Sequence, residues 1–139
     1  MATIGFIGLG NMGGPMAANL LKSQHKVTGY DVVPSPLSSL ELQGGKAASG
    51  IAEAAAAGDI VVTMLPAGPQ VRQVYLGPEG IIAKAKKGTL LIDCSTIDVE
   101  TARAVAVAAA EAGLQMIDAY FAPLGDGELN FAPGVGKSA

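Results

Sequence analysis

The chain has 139 residues, half of them hydrophobic and only 15% charged, which suits one domain with a sizeable core and excludes global disorder. A net charge of −3 argues against a nucleic-acid partner held by bulk charge. One cysteine and one histidine leave no internal disulfide, no thiolate zinc cluster and few metal sites of any kind.

Residues 1–21 carry no charged side chain, a length that could span a bilayer. Five glycines, Pro15, Asn11 and Asn19 interrupt that stretch, and no basic segment precedes it. It reads as neither a membrane helix nor a signal peptide. The expectation is a soluble chain with no membrane partner, in a reducing compartment. That is the cytoplasm, or the mitochondrial matrix if a transit peptide was removed.

In chain order, Thr3–Ile7 reads as a buried strand. Met12–Ser23 reads as a helix, with Met12, Met16 and Leu20 at i, i+4, i+8 on its packed face. Val27–Asp31 is a second strand. Pro34–Gln43 is a short helix with proline at its start and Gly44-Gly45 at its end. Lys46–Ser49 has room for a very short strand, and Ile51–Ala57 is a helix stopped by Gly58. Ile60–Met64, β-branched and uncharged, is a central strand. Helices follow over Pro69–Leu76 and Glu79–Lys86, then a strand at Thr89–Asp93. Asp98 caps a long helix, Val99–Ala112, and Gln115–Ala119 is the last clear strand. Tyr120–Ala139, rich in glycine and proline, reads as loop except for Glu128–Ala132. Apolar, non-alternating strands between helices mean an α/β fold, a doubly wound parallel sheet covered on both faces.

Gly8-Leu9-Gly10-Asn11-Met12-Gly13 is G-x-G-x-x-G. Alone the pattern is weak. Here it follows a strand and opens a helix, and an acidic residue, Asp31, ends the next strand. Those are the conditions for a dinucleotide site. Gly8 permits the tight turn, Gly10 lets backbone approach a pyrophosphate, and Gly13 lets the helix lie against the strand. The helix N-terminus offers N–H groups and the positive end of a dipole. The bland alternative is a glycine-rich turn with no ligand. A carboxylate at Asp31 accepts both ribose hydroxyls of NAD and repels the 2′-phosphate of NADP. No basic residue follows it through Val32, Val33, Pro34 and Ser35. NAD is therefore the expected cofactor, in a Rossmann fold of strand order 3-2-1-4-5-6 with Thr3–Ile7 central.

The stretches GFIGLGNMGGPMAANLLKSQH, YDV, MLPAGPQVRQVYLGPEGI and LLIDCSTID resemble the β-hydroxyacid dehydrogenase family. The resemblance covers Thr3 to about Ala119. It implies an N-terminal cofactor domain followed by a helical domain, and reversible hydride transfer between a short β-hydroxyacid and a nicotinamide. It places the backbone of Leu65 and Pro66 against the cofactor, Gln70 beside it, and Thr96 near the nicotinamide. Read from the residues alone, Pro66 could simply terminate a strand, and Ser95 and Thr96 could hydrogen-bond ahead of the Asp98 cap.

Two departures stand against the family pattern. Its substrate loop reads D-A-P-V-S-G-G, where this chain has Asp118-Ala119-Tyr120-Phe121-Ala122-Pro123-Leu124. Its acid/base lysine lies in a K-x-x-x-N motif with no counterpart here; Lys137 sits in a glycine-rich tail. Cys94 reads as core packing, His25 as an exposed turn residue, and the methionines as core. The expected function is NAD(H) binding by residues 1–119, with residues 120–139 a loop-rich tail and no catalytic residue in the chain. The alternative is a short-β-hydroxyacid oxidoreductase completed by a domain outside this chain. The surface that such a domain covers is where copies of the chain would associate.

Overall fold

A computed structural model describes residues 2–10, 12–66, 68–95, 98–118, 120–121 and 129–130. Six strands form one parallel sheet. They are β1 (Thr3–Ile7), β2 (Lys26–Tyr30), β3 (Lys46–Ala47), β4 (Ile60–Thr63), β5 (Leu90–Asp93) and β6 (Gln115–Asp118), in the order β3-β2-β1-β4-β5-β6. β1 is central, with Ile4 opposite Val27 on one side and Ile60 on the other. Both the order and the parallel pairing agree with the sequence-based expectation.

The strands are apolar on both faces because both faces are covered. Ile4, Phe6 and Val62 join a core with Met16, Ala17 and Leu40, supplied by α1 (Gly13–Lys22) and α2 (Pro34–Leu42). Ile7, Val61 and Leu91 point the other way. They pack with side chains of α3 (Ile51–Ala56), α4 (Gly68–Leu76), α5 (Ile81–Lys84) and α6 (Val99–Glu111). The change of side between α2 and α3 is the topological switch, and it opens a crevice above the C-terminal ends of β1 and β4.

Local chemistry explains most boundaries. The Asp98 carboxylate accepts from the Thr101 N–H at 3.0 Å and the Thr101 hydroxyl at 2.8 Å, capping α6 as expected. Those bonds hold its pKa below the usual carboxylate value. Cap stability is therefore present above about pH 4 and lost as the pH falls through the lowered value. Gly113, at φ +79°, ends the segment after α6.

Some expectations need correction. α5 is four residues long, not eight, because Gly80 and Ala85 flank it in extended conformation. Met12 is 40% exposed rather than core: α1 begins one residue later, so Met12 falls outside its packed face. His25 is half-buried, not exposed. The chain turns back through Gln24 at φ +69° and sets His25 beside Ala2, whose N–H donates to His25 Nδ1 at 2.9 Å. Beyond β6, Tyr120–Phe121 is a strand, pairing antiparallel with Leu129–Asn130, where only the latter region was expected to be extended.

Cys94 is 1% exposed and packs in the α1/α2-side core. Burial, with the charge of Asp93 adding to it, pushes its thiol up to about 12. The folded thiol thus holds its proton more tightly than the unfolded one. The stability this contributes is present below about pH 8.5 and lost as the pH rises toward 12. Iodoacetamide at pH 8 is expected to leave Cys94 unmodified in the folded chain and to label it fully in guanidinium. Rapid labelling of the native chain would contradict this burial.

Candidate functional site

A cavity of about 550 Å³ lies over the crevice at the C-terminal ends of β1, β2 and β4. Gly8, Gly10, Met12 and Gly13 form its floor, and Asp31, Leu65, Pro66 and Gln70 its sides. Eight of the expected site residues are therefore brought together. Leu9 differs: its side chain is buried in the core, it does not line the cavity, and it joins the site through its N–H bond to Asp31. Asn11 and Thr96 lie outside the described residues.

The three glycines answer to different constraints. Gly8 has φ +99°, and a Cβ there would run into the Met64 carbonyl. A Cβ on Gly13 would collide with the Gly8 carbonyl, so α1 packs against the turn only because Gly13 has no side chain. Gly10 is unlike both. A Cβ there would meet no atom of the described residues within 4 Å. The packing of the described residues leaves that position open.

The first turn of α1 adds to this. No side chain caps it and no acidic residue lies in it, in contrast to α6. The Gly14 N–H donates to the Gly10 carbonyl at 2.9 Å and Pro15 has none, so the first turn reaches the cavity at Met12 and Gly13, where the positive end of the helix dipole suits an anion.

Asp31 ties two loops together. Its Oδ2 accepts from the Leu9 N–H at 2.8 Å, and its Oδ1 from the Val33 N–H at 2.8 Å. The glycine loop and the segment after β2 are thereby held in one geometry. An ionised carboxylate has about four acceptor positions, so each oxygen retains capacity for a further donor such as a ribose hydroxyl. Among the described residues none that lines the cavity is Lys or Arg.

Sequence reasoning missed Tyr30, Val32, Val33, Ile51, Gln73 and Val74, which also line the cavity. A signal existed for two of them. Gln73 and Val74 stand three and four residues after Gln70, on the same face of α4. Ile51 gave none, because only the tertiary fold brings the start of α3 over β2. Among the described residues no cluster of three or more His, Cys, Asp or Glu could hold a metal ion. None of their helices is long and apolar enough to cross a membrane.

Fold, glycine loop and strand-end carboxylate together define a nicotinamide dinucleotide-binding domain. Over residues 3–130 the chain belongs to the family described as the NAD binding domain of 6-phosphogluconate dehydrogenase. It is 50% identical over 119 residues to 3-hydroxyisobutyrate dehydrogenase of Pseudomonas aeruginosa, covering 86% of this chain and 40% of that protein. Among solved structures it resembles 3-hydroxyisobutyrate dehydrogenase of Mycobacterium tuberculosis with L-serine. The identity is 43% and the TM-score 0.83, over 88% of this chain and 41% of that one. It also resembles Psf3 in complex with NADP+ and 2-OPP, at 30% identity and TM-score 0.81, over 86% of this chain and 42% of that one. The chain thus spans about 40% of the length of these relatives.

Proposed function

We propose that this domain binds NAD(H) in preference to NADP(H), and that it serves a dehydrogenase acting on short β-hydroxyacids. The observation that carries the reading is Gly10: among the described residues nothing fills the space that a Cβ there would take, yet the position is glycine. A pyrophosphate fits that space, against the uncapped N-terminus of α1. Gly8 and Gly13 shape the loop, Leu9 is fixed through its N–H, and Asp31 takes the ribose hydroxyls. Met12 adds to the floor, and Leu65, Pro66 and Gln70 supply walls. Asn11 and Thr96 complete the set by resemblance to the family. When bound, the nicotinamide would accept or donate a hydride. The chain's own residues hold it and exclude water from one face.

The preference for NAD follows from charge. A 2′-phosphate would be brought beside the Asp31 carboxylate, with no Lys or Arg among the described lining residues to offset it. Val32, 84% exposed, stands where a basic side chain would have to be. The substrate class is supported by the printed names of the relatives, since 3-hydroxyisobutyrate and serine are both short acids with a β-hydroxyl. In this reading residues 1–119 are the cofactor domain, and residues 120–139 begin a different region.

The double variant Asp31→Ser with Val32→Arg tests the charge argument. It removes a repulsion and adds a partner for the phosphate. The NADH-over-NADPH affinity ratio is expected to fall at least about tenfold, or to invert. An unchanged ratio would show that Asp31 does not select the cofactor.

A further inference from the structure

Behind the Leu65 wall lies a buried hydrogen-bond chain whose members do not line the cavity. The Leu65 N–H donates to Ser95 Oγ at 2.7 Å. The Ser95 N–H donates to Asp93 Oδ1 at 3.0 Å, and the same oxygen accepts from the Thr63 hydroxyl at 2.8 Å. Thr63 Oγ1 is in turn 2.6 Å from the Tyr75 hydroxyl. A carboxylate only accepts, so Thr63 spends its proton on Asp93 and its oxygen accepts from Tyr75. Tyr75 and Thr63 are fully buried, Asp93 is 1% exposed and Ser95 8%.

The chain joins two walls of the cavity. Thr63 ends β4, two residues before Leu65, while Tyr75 belongs to α4, next to Val74 and five residues beyond Gln70, both of which line the cavity. Polar groups of this kind are costly in an aliphatic core, and a well-packed apolar replacement is often at least as stable. What directional bonds add is a single geometry. We propose that Tyr75, Thr63, Asp93 and Ser95 are positioning residues, a relay that sets the Leu65 backbone against α4 in the arrangement the dinucleotide requires. This rests on the cofactor reading and extends it to residues that never touch the ligand.

Substitutions at Thr63 separate positioning from stability. Thr63→Val keeps the volume and removes the hydroxyl; Thr63→Ser keeps the hydroxyl and removes a methyl. Ser95→Ala removes the acceptor of the Leu65 N–H at the edge of the core, and serves if the Thr63 variants fold poorly. Three readouts are taken: NADH affinity, melting temperature and hydrogen exchange at the Leu65 amide.

Thr63→Val and Ser95→Ala are each expected to weaken NADH about tenfold and to speed Leu65 exchange, the scale of one buried hydrogen bond lost. Thr63→Ser is expected to bind like the parent although it melts lower. The relay is overturned if affinity follows melting temperature instead, with Thr63→Ser losing as much as Thr63→Val. It is also overturned if Leu65 exchange is unchanged in Thr63→Val and Ser95→Ala. A parent that fails to bind NADH, with Leu65 exchange still accelerated in both variants, would reject the cofactor reading and support the relay as the device that holds Leu65.

Discussion

Gly10→Val is expected to lose at least about a hundredfold in NADH affinity, close to 3 kcal/mol, with the fold intact. The Cβ of that valine meets no atom of the described residues within 4 Å. Its melting temperature should therefore stay within a few degrees of the parent, as for substitutions that touch no packed neighbour. The β-branched side chain projects instead into the volume proposed for the pyrophosphate. Gly13→Ala should do the opposite. Its Cβ would strike the Gly8 carbonyl, so the cost falls on stability, of the order of 1–3 kcal/mol for an overpacked contact. Calorimetry of NADH binding alongside thermal melts reads both variants. Full affinity in Gly10→Val would mean that the loop is only a turn.

The second large effect concerns turnover. The purified 139-residue chain is expected to bind NADH and to show no measurable dehydrogenase activity on 3-hydroxyisobutyrate or L-serine. Oxidising an alcohol needs a base for the hydroxyl proton and a firm hold on the substrate. Among the described lining residues, Asp31 is committed to two backbone N–H groups, and the others are mostly apolar or amide. Cys94 is buried with its thiol raised to about 12, which removes it as a nucleophile or base near neutrality. His25 sits before β2, at the opposite end of the strand from Asp31, and accepts from Ala2. A general base is typically worth about a hundred- to ten-thousandfold, and positioning can be worth more. Without both, the rate should lie near background. A rate well above a no-protein control, abolished by Gly10→Val, would show that some group of this chain transfers the proton.

The sheet was legible because its determinants are local. Ile60–Thr63 and Thr3–Ile7 are apolar on both faces, and that property alone separates a doubly covered parallel strand from an edge. Gly8, Gly10 and Asp31 were legible because the turn, the approach and the carboxylate recur at a fixed spacing after a strand. What the sequence could not disclose was division of labour among residues of one type. Gly10 and Gly13 look alike in a string. Only the packing shows that one is required by the protein and the other is open. Leu9 lies within the motif, yet its side chain serves the core. Met12 keeps helical spacing with Met16 but stands one residue before the helix. The Tyr75–Thr63–Asp93–Ser95 chain was invisible for a simpler reason: its members come from three segments up to 32 residues apart, and no periodicity links them.

The central claim is that this domain holds a nicotinamide dinucleotide through the glycine loop and selects it at Asp31. Calorimetric titration of NADH and of NADPH into the unmodified chain tests that most directly. The account predicts saturable binding of NADH with one site per chain, and at least about tenfold weaker binding of NADPH from the repulsion at Asp31. Equal affinities would contradict the selection at Asp31, and no heat with either cofactor would contradict the site itself.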